Sequence, residues 1–450
     1  NSITFTNNTV NGTLPQSFFR SGVVADEAGG TFTGNTLQSI NHDVLVRFGN
    51  NGNISITGNN LNGGGVELDD MNAGAGVLTV SNNIFDATFA NSSAPGTAVL
   101  RLQNNYNSKV TTVSGNTFSN HDWAISTANY NSLTIDNNSF TPLSGSTSYH
   151  HLTINNKSIS TNSSTIVQVA IAATITNNTF NGSGTLGGTA MSFHNHDNDN
   201  ATYGTFVIGG AGNENNFNAM IGKSIYLDHQ SGTSSGSAFP AYTSLIGAGA
   251  GALTTMGLWS VNLDATNNNF DVGSGLELPS AMSLTNLFTL EDRIQHSIDA
   301  SGLGFVRVKA NNDYVTVNSF ASPLTTSAKI QRGVDAASNG HTVNVGVGSF
   351  NDNVIVNKEV NIAGQGQGIT NVYPATSNPN CGGAGGGSIC AGGSNVFLVQ
   401  ASNVVLHDMT IDGDNTALTS GTIAGGADLD ARNGIITDHT AGVYQNLEVY

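Results

Sequence analysis

Charge is scarce in this chain. Asp, Glu, Lys and Arg together make up 10% of its 450 residues, where about a quarter is usual. Only 13 are Lys or Arg, against 30 Asp or Glu, giving a formal net charge of -17. A nucleic-acid surface needs a basic stripe to displace counterions, so that class of partner is excluded. No apolar run reaches the roughly 18 residues of a membrane-spanning helix, so no membrane span is expected. Proline is rare at 8, and the Lys/Glu richness of disordered chains is missing. The Ala, Glu, Lys and Leu that build helical bundles are thin. Cysteine is limited to two residues. What remains is a large β protein made polar by Asn, Thr, Ser and Gly.

Glycine numbers 55, and asparagine is commoner still. The asparagines recur in a six-residue word: apolar, small polar, Asn or Gly, Asn, variable, apolar. It reads FTNNTV at Phe5–Val10, FTGNTL at Phe32–Leu37, ITGNNL at Ile56–Leu61, VSNNIF at Val80–Phe85 and VSGNTF at Val113–Phe118. It continues as IDNNSF at Ile135–Phe140, ITNNTF at Ile175–Phe180 and ATNNNF at Ala265–Phe270, with a degenerate ENNF at Glu214–Phe217. The second Asn of the words falls at Asn8, Asn35, Asn59, Asn83, Asn116, Asn138, Asn178, Asn216 and Asn268. Most steps fit one turn of about 22–30 residues plus loop insertions, the signature of a repeat architecture.

The physical reading is direct. The apolar residue before the pair ends a strand, Asn-Asn or Gly-Asn turns the chain through left-handed angles, and the next apolar residue opens another inward-facing strand. Stacked turns would place like residues about 4.8 Å apart, so that Asn forms a ladder and Phe a stack. Roughly eleven coils would span on the order of 55 Å. A structureless Asn/Thr-rich tract is the competing reading, but the apolar positions keep phase with the turns. The expected fold is all-β, a right-handed parallel β-helix, in two β-helical units in series with short capping helices between them. The many N-x-S/T triplets, as at Asn7 and Asn177, follow from the turn composition and carry no inference of glycosylation.

Character changes near Ser283. We expect a first unit over 1–283, a junction over 284–326, and a second unit over 327–450. Leu287, Leu290, Ile294 and Ile298 have helical spacing, with Gly302 as a stop signal. Phe305–Val317 reads as a strand pair around an Asn-Asn-Asp turn. A second helix is expected over Ser327–Ser338, with Ser327 as N-cap. The segment IQRGVDAASNGHTVNVGVGSFNDNVIVNKEVNIAGQG, Ile330–Gly366, resembles the opening of right-handed β-helix domains of the pectate-lyase and pectin-esterase type. The resemblance implies a short amphipathic helix capping the open end of the column, followed by fresh coils. It ends before the coils where that family keeps its acid pair and Arg, and no matching catalytic word follows. The chain starts at Asn1 and stops inside an apolar run, so a piece of a longer protein is expected.

Candidate chemistry is sparse. Cys381 and Cys390 bracket a Gly-rich loop and are expected to form a disulfide worth roughly 2.5–3 kcal/mol, which suits an oxidising, extracellular or cell-surface location. His194, His196, Asp197 and Asp199 alternate in HNHDNDN, a pattern that could place metal ligands on one face. Glu67, Asp69 and Asp70, and separately Asp412 and Asp414, offer oxygen ligands of the kind Ca²⁺ takes, although acidic turns are usually plain turn formers. Asp428, Asp430 and Arg432, two apart along a strand, are the weak catalytic candidates for acid/base work on a polysaccharide. No cofactor is otherwise implied. The sequence favours a non-catalytic, adhesin- or matrix-like protein binding glycans, surfaces or its own copies. A lyase or hydrolase of acidic polysaccharide, and a subunit of an extracellular filament or sheath, are the alternatives.

Overall fold

A computed structural model describes the chain except residues 1, 11–20, 27–28, 39–41, 48–51, 70–75, 88–97, 103–108, 129, 157–169, 196–201, 230–231, 235–253, 382–388, 439–446 and 450. It divides into two compact units, Asn1–Met282 and Ser283–Tyr450.

The first unit is built of long parallel sheets wound as a solenoid. Its first sheet runs Ser2–Thr6, Gly29–Thr33, Ile54–Thr57, Val77–Ser81, Val110–Ser114, Leu133–Asp136, Ile171–Thr176, Tyr203–Ile208. A second sheet follows one turn later, from Thr9–Val10 through Ile84–Asp86 and Ser139–Pro142 to Asn269–Asp271. A third runs from Ser21–Asp26 through Trp123–Ala128 to Lys223–Leu227. Up to Tyr203–Ile208, Asn216–Asn218 and Lys223–Leu227, neighbours within a sheet are three strands apart in sequence, so each of these coils contributes one strand to each face.

The repeat word explains the corner between the first and second sheets. Its third position carries the left-handed angle: φ is 59° at Asn7, 66° at Gly34, 55° at Asn82 and 56° at Asn177. Asn and Gly are the residues that tolerate it. The fourth position turns inward. Asn116 is typical: its Oδ1 accepts from the Asn83 backbone N–H (2.9 Å) and Nδ2 (3.0 Å), and its Nδ2 donates to Val80 O (2.9 Å) and Asn138 Oδ1 (2.9 Å). Every polar valence of a buried amide is thus met by the coils on either side, which is what makes burial of asparagine tolerable. The ladder runs through Asn8, Asn35, Asn59, Asn83, Asn116, Asn138, Asn178, Asn215 and Asn268. Its eighth rung is Asn215 and not Asn216, which points outward along the second sheet as the variable position. In NENNF the apolar lead of the word is lost, and counting back from Phe217 gives the correct phase.

The sixth position fills the core. Phe85, Phe118, Phe140, Phe180, Phe217 and Phe270 stack in one column, with successive centroids 4.6, 5.0, 4.9, 5.2 and 4.6 Å apart. Each ring is almost fully buried, worth roughly 1.5–3 kcal/mol apiece by area.

The second unit opens with helix α1 (Leu284–Glu291), capped by Ser283, whose Oγ accepts from Asn286 N at 3.2 Å. The helix stops at Asp292, earlier than the leucine and isoleucine spacing suggests, and Ile294 is already extended. Phe305–Val317 does not form a hairpin: Asn312–Val315 pairs in parallel with His341–Val345, which makes it the first rung of a column. That column continues through Val360–Ala363 and Val404–His407. Two shorter parallel sheets, led by Gly348–Asn351 and Val354–Val356, complete its coils.

Helix α2 (Ile330–Ala336) covers this core with Ile330 and Val334. It starts after Lys329 without a side-chain cap, so Ser327 is not its N-cap. Its early N–H groups are served from the column instead: Asp352 Oδ2 accepts from Gln331 N at 2.8 Å. The Ser327 carbonyl accepts from Arg332, whose guanidinium also reaches Ile298 O and Ser319 O. At the other end, Lys358 Nζ donates to Val334, Asp335 and Ala337 carbonyls at 2.6–3.0 Å, as cations do at helix C-termini.

Candidate functional site

A concavity lies within the first unit, along the corner of its later coils. It is an open groove of about 580 Å³, lined by Asp136, Asn137, Asn177, Thr179, Glu214, Asn216 and Asn269. Each comes from a defined place in the repeat. Asp136 ends a strand of the first sheet, Asn137 and Asn177 hold left-handed corners, and Thr179, Asn216 and Asn269 start strands of the second sheet.

The walls are held by side-chain bonds. Asp136 Oδ1 accepts from Thr176 Oγ1 and Asn177 Nδ2, both at 2.7 Å. Asn269 Nδ2 donates to Asn216 Oδ1 at 2.9 Å. Glu214 Oε1 accepts from the Gly212 N–H at 2.8 Å, and this bond holds its carboxyl below the usual range, so it stays ionised. The groove sets these two carboxylates beside amides that both donate and accept. Sugar hydroxyls are the ligand groups that such mixed acceptors and amides fit.

Asp136 and Glu214 were not among the sequence candidates, though a signal existed. Asp136 stands where the other words have Ser or Thr, and Glu214 where they have Asn or Gly. Two departures from a repeat converge on one groove.

The sequence candidates are placed separately. His194 is buried, with Nδ1 3.0 Å from the fully buried Asp228 Oδ2. His196, Asp197 and Asp199 lie outside the described residues, as do Asp70 and the side chain of Asp69. Glu67 pairs with Arg101 at 3.2 Å. Asp412 Oδ1 accepts from Asp414 N at 3.1 Å, a turn-forming contact. No cluster of three His, Cys, Asp or Glu able to hold a metal occurs among the described residues.

Asp428, Asp430 and Arg432 have different partners. Asp428 takes the Ser420 hydroxyl, whose bond holds its carboxyl below the usual range. Asp430 is buried and accepts from Asn415 N at 3.0 Å. Arg432 donates to Cys381 O at 2.8 Å. Only Ala427–Asp428 of this stretch is a strand, paired antiparallel with Ile423–Ala424, so the alternation assumed from sequence does not extend to Arg432. Cys381 and Cys390 are paired, with Cα atoms 6.3 Å apart, within the span of a disulfide.

A second group of titratable residues lies inside the first unit. His151 Nε2 donates to Asn181 O (2.9 Å), so its Nδ1 must accept from His121 Nε2 (2.8 Å). That leaves His121 Nδ1 unprotonated and without a partner. Burial pushes His121 down to about 3 and His150 to about 4, and holds His151 well below its ordinary value. These rings are neutral packing elements: His121 and His151 meet edge-on, His151 lies beside the Phe column, and His150 stacks on Trp123.

No protein-family model, curated protein or solved structure matches the chain. No helix among the described residues is long and apolar enough to cross a membrane.

Proposed function

We propose that this chain is a non-catalytic binding protein of the cell surface or extracellular space, adhesin-like, built as a right-handed parallel β-helix on a scaffold of the pectate-lyase kind. Its ligand is a glycan held in the Asp136–Glu214 groove. The observation that supports this reading is the composition of that groove: amides, a hydroxyl and two carboxylates, on four consecutive coils of a packed column. Polar groups fixed on regular elements lose little freedom when a ligand binds. The paired cysteines support an oxidising location. The separate partners of Asp428, Asp430 and Arg432 give the lyase or hydrolase alternative no support.

A glycan array followed by calorimetry tests the reading. The wild-type chain is expected to retain a defined set of oligosaccharides. Asn177→Ala combined with Asn216→Ala should weaken the best of them at least tenfold, about 1.4 kcal/mol. Binding unchanged in that variant, or none to any glycan, would contradict it.

A further inference from the structure

The groove, on the reading of it as a glycan site, has a charge that narrows its ligand further. Asp136 and Glu214 are the ionisable groups of its lining, and both are acids. No lining side chain is basic, and none is aromatic. The surroundings do not supply the missing cation. No described strand of the first or second sheet, whose corner forms the groove, carries Lys or Arg. Elsewhere in the unit, Arg101 pairs with Glu67 at 3.2 Å, Lys109 Nζ donates to Gly52 O at 2.9 Å, and Lys223 opens a strand of the third sheet.

Both acids are set in place by the coils. Asp136 Oδ1 is held by Thr176 Oγ1 and Asn177 Nδ2 on the next coil, and Glu214 Oε1 by the Gly212 N–H, the bond that keeps its carboxyl below the usual range. They flank rungs of the amide ladder that are two steps apart, Asn138 and Asn215, which separates them along the column by roughly 10 Å. Three classes of glycan meet such a groove differently. A uronate or sulfated chain brings like charge to both acids, with no cation to offset it. A neutral chain covers two charges without neutralising them, and the lining holds no ring on which its apolar face could stack. A chain of amino sugars places protonated amines against carboxylates, in charge-assisted bonds about twice as strong as neutral ones. The separation demands more than one amine, so an oligomer fits and a single sugar does not.

We propose that the groove selects a glycan carrying free amines, an oligomer of deacetylated hexosamine, over neutral and acidic chains. The net charge of -17 draws such a polycation toward the protein from any side, so specificity lies in the groove, and affinity there falls with salt. Asp136→Asn with Glu214→Gln removes both charges while keeping an oxygen for Thr176, Asn177 and the Gly212 N–H, so the walls stay as they are.

Calorimetry with glucosamine hexamers, at pH 6 where their amines are protonated, decides it. The free-amine hexamer should bind the wild-type chain at least tenfold tighter than its fully N-acetylated counterpart, and a galacturonate hexamer should not bind. The Asp136→Asn/Glu214→Gln variant should lose that preference. Asp335→Asn with Glu448→Gln, exposed acids of the second unit, removes the same charge and should keep it. Acetylated hexamer bound as tightly as the free amine, binding of the galacturonate, binding of none of the three, or a preference that survives in the groove variant would each overturn the inference. Binding of the acetylated hexamer alone, lost in Asn177→Ala with Asn216→Ala, would overturn it and leave the glycan reading standing. Oligolysine held as tightly as the free-amine hexamer would overturn both, because charge alone would then be recognised.

Discussion

At the scale of single residues the fold depends on amides that give and receive in one plane of the coil. Removing one amide leaves its neighbours unpaired inside the protein, which costs more than the bonds themselves contributed. Asn116→Ala would leave Asn83 N–H and one hydrogen of Asn83 Nδ2 unpaired and take a donor from Val80 O, while Asn138 Oδ1 keeps the backbone N–H of residue 116. We expect it to destabilise the first unit by about 3 kcal/mol, read as a fall in the urea midpoint. Asn82→Gly, at the left-handed corner beside it, should change stability by only a few tenths, because Gly meets the same backbone demand. The histidines predict a pH response. Their folded values lie below the ordinary 6.5, so the unfolded chain binds more protons and stability is lost as pH falls. The loss should begin as pH drops through about 6.5 and continue toward about 3. His121→Gln should flatten that dependence in melting curves taken from pH 7.5 to 4. The recurrence of Asn was legible in the sequence because each rung keeps the same place relative to an apolar residue. The histidine bonds were not, because His121 and His151 meet only through the stacking of two coils.

At the scale of elements, capping decides the arrangement of the second unit. Helix α2 lies so close to the column that a Cβ on Gly333 would stand 2.6 Å from Val315 Cγ2 and 2.8 Å from Val343 Cγ1. Intrinsic propensity favours Ala over Gly in a helix by about 1 kcal/mol. Overpacking costs about 1–3 kcal/mol, and here both clashing methyls belong to fully buried valines. Packing should win: Gly333→Ala is expected to destabilise the second unit by about 1–2 kcal/mol, measured by denaturation. A gain in stability would show that the helix can lift off its seat. The existence of this helix was legible from Ile330 and Val334. Its start was not, because Lys329 offers no cap and the service comes from Asp352, 21 residues further on. The supposed hairpin at Phe305–Val317 failed for the same reason. Local turn signals suggested antiparallel pairing, while the strand found its partner in the next coil.

At the scale of the whole molecule, repetition was readable and its exceptions were informative. Word after word carries the same inward residues, and the three-strand periodicity of the first unit follows from them. The groove escaped notice because Asp136 and Glu214 come from separate coils and neither stands in an acidic run. The search for runs of Asp and His instead selected turn formers such as Asp412. A repeat protein is better searched for positions where the word is broken than for clusters along the chain, since stacking and not sequence distance brings side chains together.

The central claim is that the chain winds with successive words in register. Spin labels at Thr31→Cys and Thr174→Cys, read by double electron–electron resonance in the background of the native Cys381–Cys390 pair, test it most directly. The two positions are five strand steps apart in one outward row, so at about 4.8 Å per step the account predicts one narrow distribution centred near 24 Å. A broad distribution, or a narrow one centred far from that value, would contradict it.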